Sequence, residues 1–167
     1  AARIEAHTGQ PLTDAWMAAF YKRRNVRLEA ELQAIDGALD AVAAVHARLG
    51  GRIACASGAD RYKVEMQLQK VGLAPYFAGR VFSGHEMPAT KPAPDVYLAA
   101  AAALGVPPQR CLVVEDTVTG VTAGVAAGAT VVGLCPSPVG HGSPEALRAA
   151  GAVQVLAHLR ELPALLG

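Results

Sequence analysis

The chain has 167 residues, of which 52% are hydrophobic and 17% are charged, and its formal net charge is +1 at pH 7. This length and composition predict one globular domain, or a core with a small appendage. A charge this close to zero excludes any general electrostatic argument for binding nucleic acid or an anionic membrane.

The cysteines bear on the cellular compartment. Cys55, Cys111 and Cys135 lie within or at the ends of apolar runs, and they lack the spacing of metal ligands. An odd number of such cysteines predicts reduced, buried thiols in a cytoplasmic protein. The sequence also shows no signal peptide, repeat or low-complexity tail.

The first stretch of the chain predicts a long helix from about Asp14 to Leu32, with Thr13 as a good N-cap residue. Its basic residues form a cluster between apolar positions: Lys22, Arg23, Arg24 and Arg27. The cluster is either a solvated basic face or part of a helical lid that meets an anionic substrate. Because the chain does not begin with Met and its first residues are typical of a helix, we expect that a segment precedes Ala1.

A different module follows, with a helix that ends at Gly50, a strand over Ile53–Ala56 and a turn that begins at Ser57. Ser57 and Gly58 stand just before the next helix, where a hydroxyl and free backbone N–H groups can bind an anion. The spacing from Ser57 to Asp60 also fits a capping box, so the local sequence leaves both interpretations open.

The segment KPAPDVY places one lysine between a loop and a helix start. It follows a short strand predicted over Arg80–Ser83, and each of its prolines disfavours helix in the residue before it. Lys91 is therefore expected to be extended on a stiff loop. Pro94 and Asp95 suit the first turn of a helix that ends at Gly105. Lys91 is thus a candidate for a fixed positive charge.

The chain is organised around a short apolar run, Leu112–Val114, that stops at two acids, Glu115 and Asp116. A helix over Val121–Ala127 and a strand over Thr130–Leu134 follow, so the two strands are predicted to be parallel. Ligands of such sheets bind beyond the carboxyl ends of the strands, and two carboxylates there indicate a divalent cation such as Mg²⁺. The alternative is an acidic turn in which Asp116 caps the following helix.

The uncharged stretch 118–135 has glycines at four-residue spacing, a pattern that also occurs in membrane helices. Its few large aliphatic residues and the interruption at Gly128 argue against a membrane span. Glycine costs a helix about 1 kcal/mol relative to alanine, so its presence at position 124 needs an explanation. Close packing of the helix on its sheet supplies one.

Beyond Cys135 the sequence predicts a loop, a helix that starts at Ser143, an edge strand over Val153–Val155 and a terminal helix over His158–Leu166. Ser143 followed by proline and glutamate is a strong helix start. Three histidines are expected to lie on a helix face or in loops, without contacting substrate: His46, His85 and His141.

Taken in this order, three segments resemble the haloacid dehalogenase-like hydrolase superfamily. They are IACASG with Ser57, KPAPDVY with Lys91, and VVEDTVTGVTAG with Glu115 and Asp116. The resemblance is to the branch that contains sugar-phosphate phosphatases and β-phosphoglucomutase. It implies an α/β fold, with a Rossmann-like parallel sheet between helices over residues 36–167 and part of a helical cap over residues 1–35.

The resemblance also implies a function, namely magnesium-dependent phosphoryl transfer from a small phosphorylated metabolite through an aspartyl-phosphate. Ser57 and the Gly58 N–H group would bind the phosphoryl oxygens, and Lys91 would neutralise charge near the nucleophile. Glu115 and Asp116 would hold Mg²⁺, directly or through water. A halide-releasing dehalogenase is disfavoured because that reaction needs no metal.

One element of the family pattern is absent from the sequence. The family's nucleophile lies on its first strand in an Asp-x-Asp motif, and no Asp-x-Asp occurs in the 167 residues. Family architecture places that strand between the strands that end at Ser57 and Glu115. We therefore expect that Ile53–Ala56 and Leu112–Val114 do not pair directly, and that the nucleophile lies upstream of Ala1. The alternatives are a phosphosugar mutase, or a non-catalytic binding or regulatory module if the protein starts near Ala1.

Overall fold

The structure is a computed structural model that describes residues 12–136 and 142–166. Contacts divide the chain into two units, Ala1–Gln33 and Ala34–Gly167. The division falls close to the boundary expected from the sequence. That the first unit is part of a cap remains a prediction, and the helix end expected over Ala1–His7 lies outside the described residues.

The first unit contains helix α1, Asp14–Glu31, as the sequence predicts. The Thr13 hydroxyl oxygen caps it by accepting a hydrogen bond from the Trp16 N–H at 3.2 Å. Within this unit no residue of α1 is buried. The rings of Trp16 and Phe20 stack with their centroids 5.4 Å apart. Whether the basic cluster is a solvated face or a lid stays open.

The second unit alternates strands with helices. Its described residues form the strands β1 Cys55–Ser57, β2 Val81–Ser83, β3 Leu112–Glu115, β4 Thr130–Leu134 and β5 Gln154–Leu156. Its α-helices are α2 Ala38–Arg48, α3 Arg61–Lys70, α4 Asp95–Leu104, α5 Val118–Ala126 and α6 Pro144–Ala149. All the strand pairs are parallel. The predicted α/β class is therefore confirmed.

Several boundaries differ from the predicted ones for local reasons. Helix α5 begins at Val118, earlier than predicted, because the Thr117 hydroxyl oxygen caps it by accepting from the Gly120 N–H at 3.0 Å. The proposal that Asp116 caps this helix is therefore wrong. The predicted terminal helix is present over Leu159–Leu166 as a 3₁₀-helix, with Pro163 inside it. Proline lacks the N–H group that an α-helix would use there.

Close packing of α5 on the sheet builds the core. Val121, Val131 and Leu147 are almost completely buried in one apolar cluster. A Cβ atom added at Gly124 would lie only 2.7 Å from Cγ2 of Val131. The glycine therefore allows the helix to approach the sheet, as predicted. Among the described helices none is both long and apolar enough to cross a membrane.

The strands form two separate sheets, ordered β1-β2 and β3-β4-β5. Between the described strands β1 and β3 there is no ladder, which confirms the prediction that these strands do not pair directly. A cavity of about 670 Å³ is lined by residues of both strands, including Cys55 and Ala56 from β1 and Leu112 and Val113 from β3. We call this cavity the interstrand slot.

Candidate active site

A second cavity, of about 600 Å³, lies at the carboxyl ends of β1 and β3. We call it the catalytic cavity. Residues from the end of β1, helix α3, the segment between β2 and α4, and the start of α5 line it: Ala56, Ser57, Gly58, Lys63, His85, Thr90, Lys91, Asp116, Thr117 and Thr119. It therefore brings together four of the five predicted site residues, and the fifth, Glu115, contacts Lys91 directly.

Ser57 ends β1 and faces this cavity. Its hydroxyl oxygen accepts a hydrogen bond from the Ala59 N–H at 3.2 Å. The N-cap of helix α3 is Asp60, whose carboxylate accepts from the Lys63 N–H at 2.9 Å. The capping-box interpretation of Ser57 is therefore wrong. The structure leaves the proposed anion-binding role of Ser57 and Gly58 as a prediction.

Lys91 is held by groups from three different elements. Its ammonium donates to the Ala56 carbonyl oxygen at 3.3 Å and to the Tyr97 hydroxyl at 2.8 Å. It also forms an ion pair with Glu115. The side chain is only 11% exposed. The expected fixed charge is thus present, although Lys91 lies in a turn with a cis peptide bond to Pro92 rather than in extended backbone.

Glu115 is buried at the end of β3, and both of its carboxylate oxygens accept hydrogen bonds. One oxygen contacts Lys91 and accepts from the Tyr97 hydroxyl at 2.5 Å. The other accepts from the N–H groups of Asp116 and Thr117 at 3.1 and 3.3 Å and from the Thr117 hydroxyl at 3.0 Å. Burial alone would raise the pKa of Glu115, but the Lys91 charge and these hydrogen bonds outweigh it and lower the pKa below its ordinary value.

Gly120 makes room for this buried carboxylate. A Cβ atom at position 120 would overlap the carboxyl group of Glu115. The glycine lies in the first turn of α5 and is itself buried. Its small size therefore determines where Glu115 can sit, a role that the sequence pattern alone does not reveal.

Asp116 differs from its neighbour because its side chain is exposed and lines the catalytic cavity. No hydrogen bond or ion pair engages its carboxylate among the residues that the structure describes. A free carboxylate is a ligand that Mg²⁺ prefers, so Asp116 fits a metal-binding role. Over residues 12–136 and 142–166 there is no group of three or more His, Cys, Asp and Glu side chains that could hold a metal ion. The predicted pair therefore supplies at most part of a site.

The structure adds residues that the sequence interpretation gave no separate role. Tyr97 contacts both Lys91 and Glu115, yet in the sequence it is only the last residue of KPAPDVY. Burial and the negative charge of Glu115 raise the pKa of Tyr97, so its hydroxyl keeps its proton. Lys63 and His85 also line the catalytic cavity. That His85 does not contact substrate stays a prediction, and His141 lies outside the described residues. Tyr97 is the third residue of α4, and the sequence alone does not distinguish it there from a core residue.

No disulfide bond joins the three cysteines, as expected, and each of them is partly buried. Burial raises the pKa of the Cys55 thiol, and the nearby Lys91 charge opposes this only in part. A raised pKa disfavours the reactive thiolate, so Cys55 does not suit nucleophilic chemistry.

A family model described as a haloacid dehalogenase-like hydrolase matches residues 1–128. The chain belongs to this family. It is 31% identical over 146 residues to 6-phosphogluconate phosphatase of Escherichia coli K12, covering 87% of this chain and 62% of that protein. It is 35% identical over 149 residues to CbbY of Rhodobacter capsulatus, covering 84% of this chain and 64% of that protein. The chain thus spans less than two thirds of either relative.

Solved structures agree with this assignment. A conserved haloacid dehalogenase-like protein of unknown function from Agrobacterium tumefaciens superposes with a TM-score of 0.82 at 34% identity, over 99% of this chain and 74% of that one. CbbY from Rhodobacter sphaeroides, solved with phosphate, has a TM-score of 0.77 at 26% identity, over 96% of this chain and 72% of that one. The resemblance to this superfamily and to its sugar-phosphate branch is confirmed.

Proposed function

We propose that the protein is a magnesium-dependent phosphatase that hydrolyses a small phosphorylated metabolite. One observation carries the proposal: a lysine fixed by a buried carboxylate stands in the same cavity as Ser57 and the uncommitted carboxylate of Asp116. A fixed cation beside a hydroxyl suits a phosphoryl group, whose charge needs stabilisation in the transition state. The phosphatase relative adds support from outside the chain.

Each site residue of this chain would have a role that follows from its position. Ser57 and the N–H group of Gly58 would bind phosphoryl oxygens at the end of β1. Lys91 would neutralise charge that develops between the phosphoryl group and the nucleophile. Glu115 would hold the Lys91 side chain in place, since it is the buried anion in contact with the ammonium.

Asp116 would be the direct magnesium ligand from this chain, because its carboxylate faces the cavity without another partner among the described residues. Glu115 would contact the metal only through water, or would support the site through Lys91, since both of its carboxylate oxygens already accept hydrogen bonds. When bound, Mg²⁺ would screen the negative charge of the phosphoryl group. The supporting observation is the chemistry of the donor set, which consists of hard oxygen atoms.

The nucleophile in this proposal is an aspartate from outside the 167 residues, which would form the aspartyl-phosphate. A strand that carries it would fill the interstrand slot and pair with β1 and β3. The slot supports this, because residues of both strands line it and no ladder joins them. Neighbouring strands lie about 4.8 Å apart, so one strand fits between two that stand roughly 10 Å apart.

A phosphosugar mutase is the second candidate. A protein of Thermotoga maritima proposed to be a β-phosphoglucomutase superposes with a TM-score of 0.78 at 25% identity, over 92% of this chain and 68% of that one. The two activities would use the same residues of this chain. Detection of a sugar bisphosphate intermediate during turnover would favour the mutase.

Further parts of the proposal concern substrate and location. The substrate would be a small phosphorylated metabolite, and CbbY from Rhodobacter sphaeroides has been solved with xylulose-1,5-bisphosphate. The protein would act in the cytoplasm, as expected from its cysteines. If the protein started near Ala1, the non-catalytic alternative would replace the phosphatase.

The test is hydrolysis of phosphomonoesters by the full-length protein, with magnesium and then with excess chelator. We expect turnover that the chelator abolishes and that added magnesium restores. Turnover undiminished by the chelator would contradict the proposal. The 167-residue chain alone should show no turnover, and activity comparable to the full-length protein would show that the nucleophile is misplaced.

A further inference from the structure

The Tyr97 hydroxyl lies between the two charged groups of the proposed site. It donates a hydrogen bond to Glu115 at 2.5 Å and accepts one from the Lys91 ammonium at 2.8 Å. The hydroxyl thus uses its proton and a lone pair to join the cation and the anion. Resting on the proposed function, we propose that Tyr97 is a positioning residue, which aims the Lys91 ammonium at the phosphoryl group.

The donor count of Lys91 shows why this hydroxyl matters. An ammonium has three N–H donors, and here they meet the Ala56 carbonyl, the Tyr97 hydroxyl and the Glu115 carboxylate. The contact to Ala56 is the longest hydrogen bond of the set, at 3.3 Å, and so the weakest. Lys91 would therefore release Ala56 when it donates to a substrate oxygen, while Tyr97 and Glu115 hold the other two donors.

Tyr97 is well suited to hold this geometry because its own position is fixed. Its side chain is 8% exposed, and it lies on α4 within the apolar cluster that contains Val96 and Val113. Its ring also lies against the Lys91 ammonium, with 4.6 Å between Nζ and the ring centroid. Phenylalanine would keep the packing and the ring contact, so the substitution Tyr97→Phe removes the hydroxyl alone.

The first experiment measures kcat and KM of the full-length Tyr97→Phe variant with a phosphomonoester. A hydrogen bond to a charged group contributes about 1.5–3 kcal/mol, so we expect kcat to fall about ten- to one-hundredfold, with KM within about threefold of wild type. The matched control is Tyr76→Phe, since the Tyr76 ring packs edge-to-face against His46 outside the catalytic cavity. A kcat of Tyr97→Phe within about twofold of wild type would overturn the proposal.

A double-mutant cycle separates positioning of Lys91 from a general structural effect. If Tyr97 acts through Lys91, then Tyr97→Phe should change kcat by less than about twofold in a Lys91→Ala background. An equal loss in both backgrounds would overturn the proposal. Thermal unfolding of each variant is followed in parallel, so that kcat is compared only between folded proteins.

A second measurement does not require turnover. A buried, hydrogen-bonded lysine ammonium exchanges its protons slowly enough for ¹⁵N NMR, and the Lys91→Arg variant assigns the signal. In Tyr97→Phe we expect faster exchange or loss of this signal, whereas Tyr76→Phe should keep it. An unchanged Lys91 signal in Tyr97→Phe would overturn the proposal. If the wild-type protein hydrolyses no phosphomonoester, the proposed function fails, and this NMR comparison still decides the role of Tyr97.

Discussion

Two neighbouring regions between β1 and β3 differ in their hydrogen bonding: one is a hydrogen-bonded polar cluster, and the other is a cavity. At the carboxyl ends of the strands, Tyr97 forms hydrogen bonds with both Lys91 and Glu115. The Thr117 hydroxyl donates a further hydrogen bond to Glu115. Farther along the same strands lies the interstrand slot, where no ladder joins β1 to β3. The polar cluster is hydrogen-bonded within the described residues of the second unit, whereas no strand pair joins β1 to β3 there.

In the proposed function, charge stabilisation and bond formation would come from different parts of the full-length protein. Lys91 contacts the Ala56 carbonyl of β1 and the Glu115 carboxylate of β3, so its side chain links two sheets that share no hydrogen-bonded strand pair. In the proposed function, this arrangement would supply the electrostatic part of a phosphoryl-transfer site. The nucleophile would arrive with the strand that fills the slot.

The largest expected effect comes from removing the central cation. In the full-length protein, Lys91→Ala should lower kcat by about two to four orders of magnitude, the scale of losing one preorganised electrostatic group. Steady-state kinetics with a phosphomonoester measures it. Lys70→Ala is the control, because Lys70 is exposed at the end of α3. If Lys91→Ala kept nearly normal turnover, the fold assignment would stand but the role of Lys91 would not.

The two acids should respond differently to magnesium. Asp116→Asn should raise the magnesium concentration needed for half-maximal turnover on the order of ten- to one-hundredfold, a scale seen when even an outer metal partner is lost. Added magnesium should then restore part of the activity.

Glu115→Gln is the comparison. Removing the Glu115 charge acts through Lys91, so the turnover of this variant should respond little to added magnesium. Titration of turnover against magnesium distinguishes the two variants. The same response from both would contradict the division of labour between Asp116 and Glu115.

A smaller effect tests the fit around the buried carboxylate. Gly120→Ala should lower the free energy of unfolding by about 1–3 kcal/mol, because the added methyl group overlaps Glu115. Chemical denaturation measures the change. Gly58→Ala is the matched control, since a Cβ atom there meets nothing within 4 Å. Equal unfolding free energies for the two variants would contradict the packing shown for Gly120.

The smallest effect is a dependence of stability on acid. Because the folded-state pKa of Glu115 lies below its ordinary value of 4.5, ionised Glu115 favours the folded state. Its contribution is present above that ordinary value and is lost as the pH falls through the lowered pKa. Unfolding free energies measured with chelator between neutral and acidic pH should therefore fall more steeply for wild type than for Glu115→Gln. Parallel pH profiles would contradict the ion pair.

Much of the fold could be predicted because the residues that begin or end helices and strands lie at the ends of the apolar runs. Thr130–Leu134 was predicted with the bounds that the structure shows, since β-branched residues between a glycine turn and Cys135 favour one strand. The start of α5 was missed because Thr117, rather than an acid, supplies the cap. The absence of a β1–β3 ladder was predicted from the missing family motif, not from local pattern.

Only the serine, the glycine after it and the charged members of the site could be predicted from the sequence. Ser57 and Asp116 come together because the carboxyl ends of β1 and β3 lie at the same cavity, and Lys91 reaches that cavity from the loop before α4. Tyr97 could not be found this way, because an aromatic residue inside a helix is usually part of the core. Gly120 was also missed as a site residue, since its role depends on a three-dimensional overlap with Glu115.

The most direct test of the central claim is to locate the phosphorylated residue. The full-length protein is mixed with a phosphorylated substrate, quenched in acid during turnover and mapped by mass spectrometry. The account predicts an acyl-phosphate on an aspartate outside the 167 residues, within the segment that fills the interstrand slot. Phosphate on a residue of this chain, or turnover without any acyl-phosphate, would contradict it.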